Sequence, residues 1–269
     1  MTRSNPNDYE QEGEQMAEVG VQMFTLRRWT QTIGELREAL ARVKEIGYDT
    51  IQASAFGPIP VEEVAKSVAD AGLTVSATHT PWPRLLAELD DVIAEHQVLE
   101  CHHTAVGMIP PDTYLTLAGL NQFVEEARCI VDKLGASGIT FSYHHHHHEF
   151  QHFQGKPWLQ HLVDASLDFE LGFEVDTHWV VAGGADPVQW IQQVGHRMPL
   201  LHLKDFRLSA DNERQFAAIG QGNMNWGPIL DAAEAEPIDY YFVEQDRCYG
   251  EDPFECLKQS REFLKEAIG

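Results

Sequence analysis

Gly20-Val-Gln-Met-Phe-Thr-Leu-Arg27 is an apolar run whose continuation, Met23 to Arg27, contains no glycine. An open, doubly wound sheet would normally place a glycine-rich phosphate turn there, after its first strand. Outward from this run, strand-like stretches alternate with helical periods. Leu36, Leu40 and Val43 recur at helical spacing before a capping Gly47, and Tyr48 to Gln52 reads as the second strand. Val61, Val64, Val68 and Ala71 form the next apolar face, closed by Gly72, and Leu73 to His79 is strand three. One helix is expected within Pro83–Leu99, then strand four at His102–Gly107 and a helix ending at Leu134. Strands five to eight are expected at Gly138–His146, Leu171–Asp176, Leu200–Lys204 and Tyr240–Glu244. A closing helix follows Asp252-Pro253. Eight such alternations in about 250 residues fit a single parallel (β/α)8 TIM barrel.

The composition narrows the function classes. No linker divides the 269 residues, so one barrel domain is expected over 19–269, preceded by a disordered acidic tail at 1–18. Forty-two acidic against nineteen basic residues give a formal charge of −23, which opposes nucleic acid and anionic membranes as partners. The tail lacks the apolar core of a signal peptide, and no apolar stretch is long enough to span a bilayer. Cys101, Cys129, Cys248 and Cys256 show no paired spacing, which fits reduced thiols and a cytoplasmic location. A small molecule is the expected partner, with self-association into a homo-oligomer left open.

The chemistry gathers at strand ends. Phe173-Glu-Val-Asp176, Leu200-Leu-His-Leu-Lys204 and Tyr241-Phe-Val-Glu244 each close an apolar run with groups that bind metals, as does Phe141-Ser-Tyr-His-His-His-His-His-Glu149. A parallel barrel brings such ends to one mouth, where active sites sit. Alternation along the fifth strand puts Ser142, His144 and His146 on one face and Tyr143 and His145 on the other. A lone buried histidine or glutamate is more often structural, but four strand ends with nitrogen or oxygen donors and no cysteine point to one divalent ion: Mn²⁺, Mg²⁺, Co²⁺ or Zn²⁺.

His144-x-His-x-x-Glu149-Phe resembles the Tyr-His-Asn-His-x-x-Glu-Phe signature of sugar phosphate isomerase/epimerase-like proteins, within the xylose isomerase-like barrel superfamily. Asp176-Thr-His-Trp179, His202-Leu-Lys-Asp205, Ile219-Gly-Gln-Gly-Asn-Met-Asn-Trp226 and Val243-Glu-Gln-Asp246 resemble its matching segments. The resemblance implies metal ligands Glu149, Asp176, His202 and Glu244, with His144 as the alternative from strand five. It also implies that Glu149, Glu244 and His146 move protons, and that His144, His79, His178, Trp179 and Lys204 contact substrate. The expected reaction is isomerisation or epimerisation of a keto-sugar or polyol by proton abstraction beside a metal-bound carbonyl. A dehydratase or β-eliminating lyase on 3-keto sugars or inosose shares that first step and is the alternative. An apurinic endonuclease or a non-catalytic sugar-binding subunit ranks lower.

Overall fold

The computed structural model of the protein describes residues 17–268. Its centre is a closed ring of eight parallel strands, β1 (Glu18–Gln22), β2 (Thr50–Ala53), β3 (Thr74–His79), β4 (His103–Val106), β5 (Thr140–His144), β6 (Gly172–Asp176), β7 (Leu200–Leu203) and β8 (Tyr240–Val243). The ring closes where β1 pairs with β8, Val19 opposite Tyr241 and Val21 opposite Val243. Strands β4, β5, β7 and β8 stop earlier than the sequence implies, so His146, Lys204 and Glu244 lie on the loops just beyond them. The expected tail at 1–18 falls almost wholly outside the described residues, although Glu18 already pairs with Tyr240. Among the described residues, no helix is long and apolar enough to cross a membrane.

Local chemistry sets the surrounding helices. Thr32 caps the Ile33–Ile46 helix in a reciprocal capping box with Glu35, and Gly47 ends it at φ +103°, where a side chain would be strained. Leu36, Ala39, Leu40 and Val43 bury one stripe of that helix against the barrel. The single helix expected within Pro83–Leu99 is instead two, Trp82–Ala87 and Leu89–Leu99. Glu88 breaks it by leaving helical geometry (φ −131°, ψ 32°).

Alternating strand residues divide the interior in two. Val21, Ile51, Tyr143, Phe173, Leu201 and Val243 join the main apolar core, which extends to the helices. Ala77, Leu200 and Phe242 form a small separate cluster, flanked by Tyr240. Gly20 faces this cluster because a β-carbon there would lie 2.9 Å from the Phe242 ring. Along β3 the register slips by one residue between the pairs Ile51–Val75 and Gln52–Ala77. This bulge moves Ala77 and His79 onto the face of Gln52, and thus aims His79 into the barrel.

Asp205 organises the glycine-rich turn that follows β7. Its carboxylate accepts hydrogen bonds from the backbone N–H of Phe206, Gly220, Gly222 and Met224 and from Trp226 Nε1. A β-carbon on Gly222 would lie 2.2 Å from Asp205 Oδ1, so this turn needs glycine. Replacing Asp205 with Ala is expected to cost about 3 kcal/mol or more, because buried donors lose their shared acceptor. A urea midpoint equal to wild type would show that the turn holds without it.

Candidate functional site

Strand alternation sorts the histidine run. Tyr143 points outward, packing on Phe123 with ring centroids 5.2 Å apart, while its hydroxyl donates to Glu149 Oε1 at 2.9 Å. His144 points inward, its Nδ1 3.4 Å from Glu174 Oε2. His145 turns aside; its Nε2 accepts from the backbone N–H of Asp176 and its ring meets the edge of Phe150. His146, beyond the strand end, lines the cavity above the mouth.

His202 joins two tiers of polar groups. Below it, Nε2 lies 2.7 Å from Gln52 Oε1 and 3.3 Å from Glu174 Oε1. Gln52 also donates to Glu174 at 2.6 Å, and His79 Nε2 lies 2.6 Å from the other Glu174 oxygen. Above it, Nδ1 lies 3.1 Å from Glu244 Oε2 and 3.8 Å from Asp176 Oδ2. Lys204, only 1% exposed, places its ammonium 3.0 Å from Asp176, 2.8 Å from Glu244 and 3.1 Å from Asp246. The Thr177 hydroxyl ties this strand end to the next by accepting from Lys204 N and facing its carbonyl.

The electrostatics are those of a crowded anionic pocket. Burial opposes a charge on His202, but Glu174 and Glu244 outweigh it and push the imidazole up to about 10. Burial would likewise raise Glu174, yet His202 and His79 hold it below the usual carboxylate range. Glu244 is lowered well below that range because Lys204 and His202 outweigh its burial. Asp246 goes the other way, up to about 7, because burial together with Glu244 and Asp176 exceeds the pull of Lys204. Burial and then Lys204 lower His146 well below the usual imidazole range. The cavity above measures about 600 Å³ and is bordered by Phe24, His79, His144, Trp179, Lys204 and Glu244, among others.

Two groupings in this pocket have the spacing of metal ligands. Donor atoms of Asp176, His202 and Glu244 lie within 4.8 Å of one another, and so do those of His79, His144, Glu174 and His202. The donor set fits a divalent cation. Asp176, Glu244 and Asp246 crowd around the single ammonium of Lys204, with His202 beside the first two, so negative charge gathers at this end of the site. Carboxylates with imidazole and no thiolate suit the harder divalent ions.

Glu149 stands apart from the other expected ligands. It is not brought to Asp176, His202 and Glu244. The strand ends at His144, and a short 3₁₀ turn at His148–Phe150 carries Glu149 back outside the ring. There Tyr143 and the backbone N–H of His146 hold its two oxygens. From the fifth strand, His144 reaches the mouth instead. His178 also stands apart, with its ring between Phe206 and Phe216, and burial pushes it down to about 3. Glu174, Gln52 and Asp246 join the site without having been expected as site residues, although strand parity places Glu174 on the face of Asp176.

No curated protein matches the chain. Among solved structures, the fold is similar to a sugar phosphate isomerase/epimerase from Parabacteroides distasonis, 22% identical over 98% of this chain and 99% of that one, with a TM-score of 0.79. It is also similar to an L-ribulose 3-epimerase, 18% identical over 94% and 95%, with a TM-score of 0.71. A xylose isomerase-like TIM barrel protein from Mycobacterium smegmatis in complex with magnesium is 16% identical over 94% and 97%, again with a TM-score of 0.71. These identities speak to the fold. The family model described as xylose isomerase-like TIM barrel matches residues 40–267, most of the chain from its first barrel helix to its last, and the chain belongs to that family.

Proposed function

We propose that the protein is a divalent-metal-dependent isomerase or epimerase of a keto-sugar or related polyol. The observation that carries this reading is the meeting of Asp176, His202, Glu244 and Lys204 beneath a cavity that His144 and His146 also border. The similarity in fold to sugar isomerases and epimerases supports it.

Asp176, His202 and Glu244 would hold the ion, with His144 of the fifth strand beside them, its ring centroid 4.6 Å from that of His202. Bound there, a divalent ion would supply Lewis-acid stabilisation for negative charge on a carbonyl oxygen. The residues of the chain do the rest. Glu244, kept ionised by Lys204 and His202, takes the proton from the carbon next to the carbonyl. Lys204, whose three donors meet Asp176, Glu244 and Asp246, holds those carboxylates in place at the wall of the cavity. Trp179 and Phe24 offer apolar walls to the C–H face of a sugar. His146, which borders the same cavity, returns a proton after taking one from solvent or a substrate hydroxyl.

This assignment makes the reacting carbon exchange with solvent. Protein loaded with Mn²⁺ and offered a panel of keto-sugars in D₂O is expected to place deuterium on the carbon beside the carbonyl. Absence of deuterium throughout the panel would count against the reading, and a product short of one water would move it to the dehydratase. His146→Gln is expected to lower turnover by about 10²-fold or more while the metal at Asp176 is retained. His145→Asn should change turnover little, since His145 faces away from the cavity. The reverse order of effects would show that His145 is the proton carrier.

A further inference from the structure

We propose that His146, His148 and Glu149 form a second metal site, on the loop after β5, selective for a borderline ion such as Zn²⁺. It does not rest on the proposed function. Donor atoms of the three residues lie within 4.8 Å of one another. None of the three belongs to the Asp176–His202–Glu244 group or to the tier around Glu174.

The local chain builds the site. His147 takes helical geometry (φ −76°, ψ −22°) and starts the 3₁₀ turn His148–Phe150. That turn brings the rings of His146 and His148 into a stack, with centroids 5.3 Å apart and planes 22° apart. It also folds the Glu149 carboxylate beneath them, with Oε2 3.9 Å from His148 Nε2. Glu149 is only 1% exposed, and Tyr143 and the His146 N–H fix its oxygens by one hydrogen bond each. Each oxygen therefore keeps a lone pair free.

Two unsatisfied atoms point to a ligand. His146 Nδ1 and His148 Nε2 are both shielded from solvent and have no hydrogen-bond partner. Shielded ring nitrogens ordinarily find one. A tetrahedral ion with bonds of about 2.0–2.1 Å would satisfy both nitrogens together with Glu149 once the three donors draw closer together. His146 and His148 also border the mouth cavity, which gives an ion its entry path.

The donor chemistry separates this site from the barrel site. Two imidazoles and one carboxylate favour Zn²⁺, Co²⁺ or Ni²⁺ over Mg²⁺, whereas the barrel group offers two carboxylates and one imidazole. An ion on His146 Nδ1 takes the lone pair with which that ring would accept a proton. Occupation of the loop site and the proton-carrier role of His146 therefore exclude each other at that atom.

The test counts Zn²⁺ bound by the full-length, chelator-stripped protein, using a competing chromophoric chelator and elemental analysis. Wild type is expected to bind two equivalents. His148→Ala, at a partly exposed position, should bind one. Glu149→Gln, which can still accept from Tyr143, should also bind one. Asp176→Ala should keep one, at the loop, and His147→Ala should keep both. The proposal is overturned if His148→Ala retains every equivalent wild type binds. It is also overturned if His147→Ala loses the same equivalent, because the ion would then sit on the histidine run at large. A single wild-type equivalent lost only in Asp176→Ala would equally contradict it. A single one lost only in His148→Ala would support the loop site and count against the barrel site.

Discussion

Asp176→Ala is expected to leave the protein folded and without its barrel-mouth metal, with affinity for Mn²⁺ lowered by about 100-fold or more. Substitutions in the shell around bound metals already cost about 10–100-fold, and loss of a direct ligand should exceed that. Asp176 is fully buried, and its Oδ1 also caps the Thr177–Ala182 helix by accepting from Trp179 N. Losing that cap costs about 1 kcal/mol, too little to unfold a barrel of this size. Asp176→Asn separates the two effects, since an amide oxygen can still cap but carries no charge for the ion. His202→Ala should behave as Asp176→Ala does. If both alanine variants bind Mn²⁺ as tightly as wild type, the ion lies elsewhere.

Lys204→Met should destabilise the metal-free protein by about 3–5 kcal/mol, the range for leaving a buried charge without its partner. The ammonium lies within 3.1 Å of Asp176, Glu244 and Asp246, and methionine fills its volume without its charge. The carboxylates left behind must repel one another or take up protons. Without the lysine, their folded-state pKa values should rise above the unfolded ones. Their contribution is then favourable below the unfolded values and is lost as pH rises through the folded ones. The deficit should therefore be largest near pH 8 and shrink towards pH 5. A divalent ion supplies the missing positive charge, so saturating Mn²⁺ should recover much of the loss. Urea midpoints at both pH values, with and without Mn²⁺, measure this. A metal-free variant as stable as wild type at pH 8 would show that the lysine is not what balances these carboxylates.

Much of this was legible in the residues. Apolar runs alternating with helical stripes indicate the barrel, since each run must be covered on its outer face. Asp176, His202 and Glu244 stand out because polar ligands end apolar strands, where a barrel mouth collects them. Period-two alternation separates His144 from His145, because backbone geometry alone decides that. Parity ends with the strand, however. Glu149 follows β5 on a 3₁₀ turn, whose direction depends on how Tyr143 and Phe150 pack, so parity does not say where its carboxylate goes. His79 enters the barrel only because β3 carries a bulge, and a bulge leaves no mark in a run such as Leu73 to His79. Gln52 and Glu174 touch across a separation of 122 residues, a pairing only the closed ring creates. The break at Glu88 is equally hidden, since the apolar period continues across it.

The most direct measurement is anomalous X-ray scattering from crystals of the full chain grown with Mn²⁺. A peak at coordination distance, about 2.0–2.3 Å, from donor atoms of Asp176, His202 and Glu244 is the predicted result. No peak at that position in manganese-saturated crystals, or one held by the His146–His148–Glu149 loop alone, would contradict a metal-assisted reaction at the mouth of the barrel.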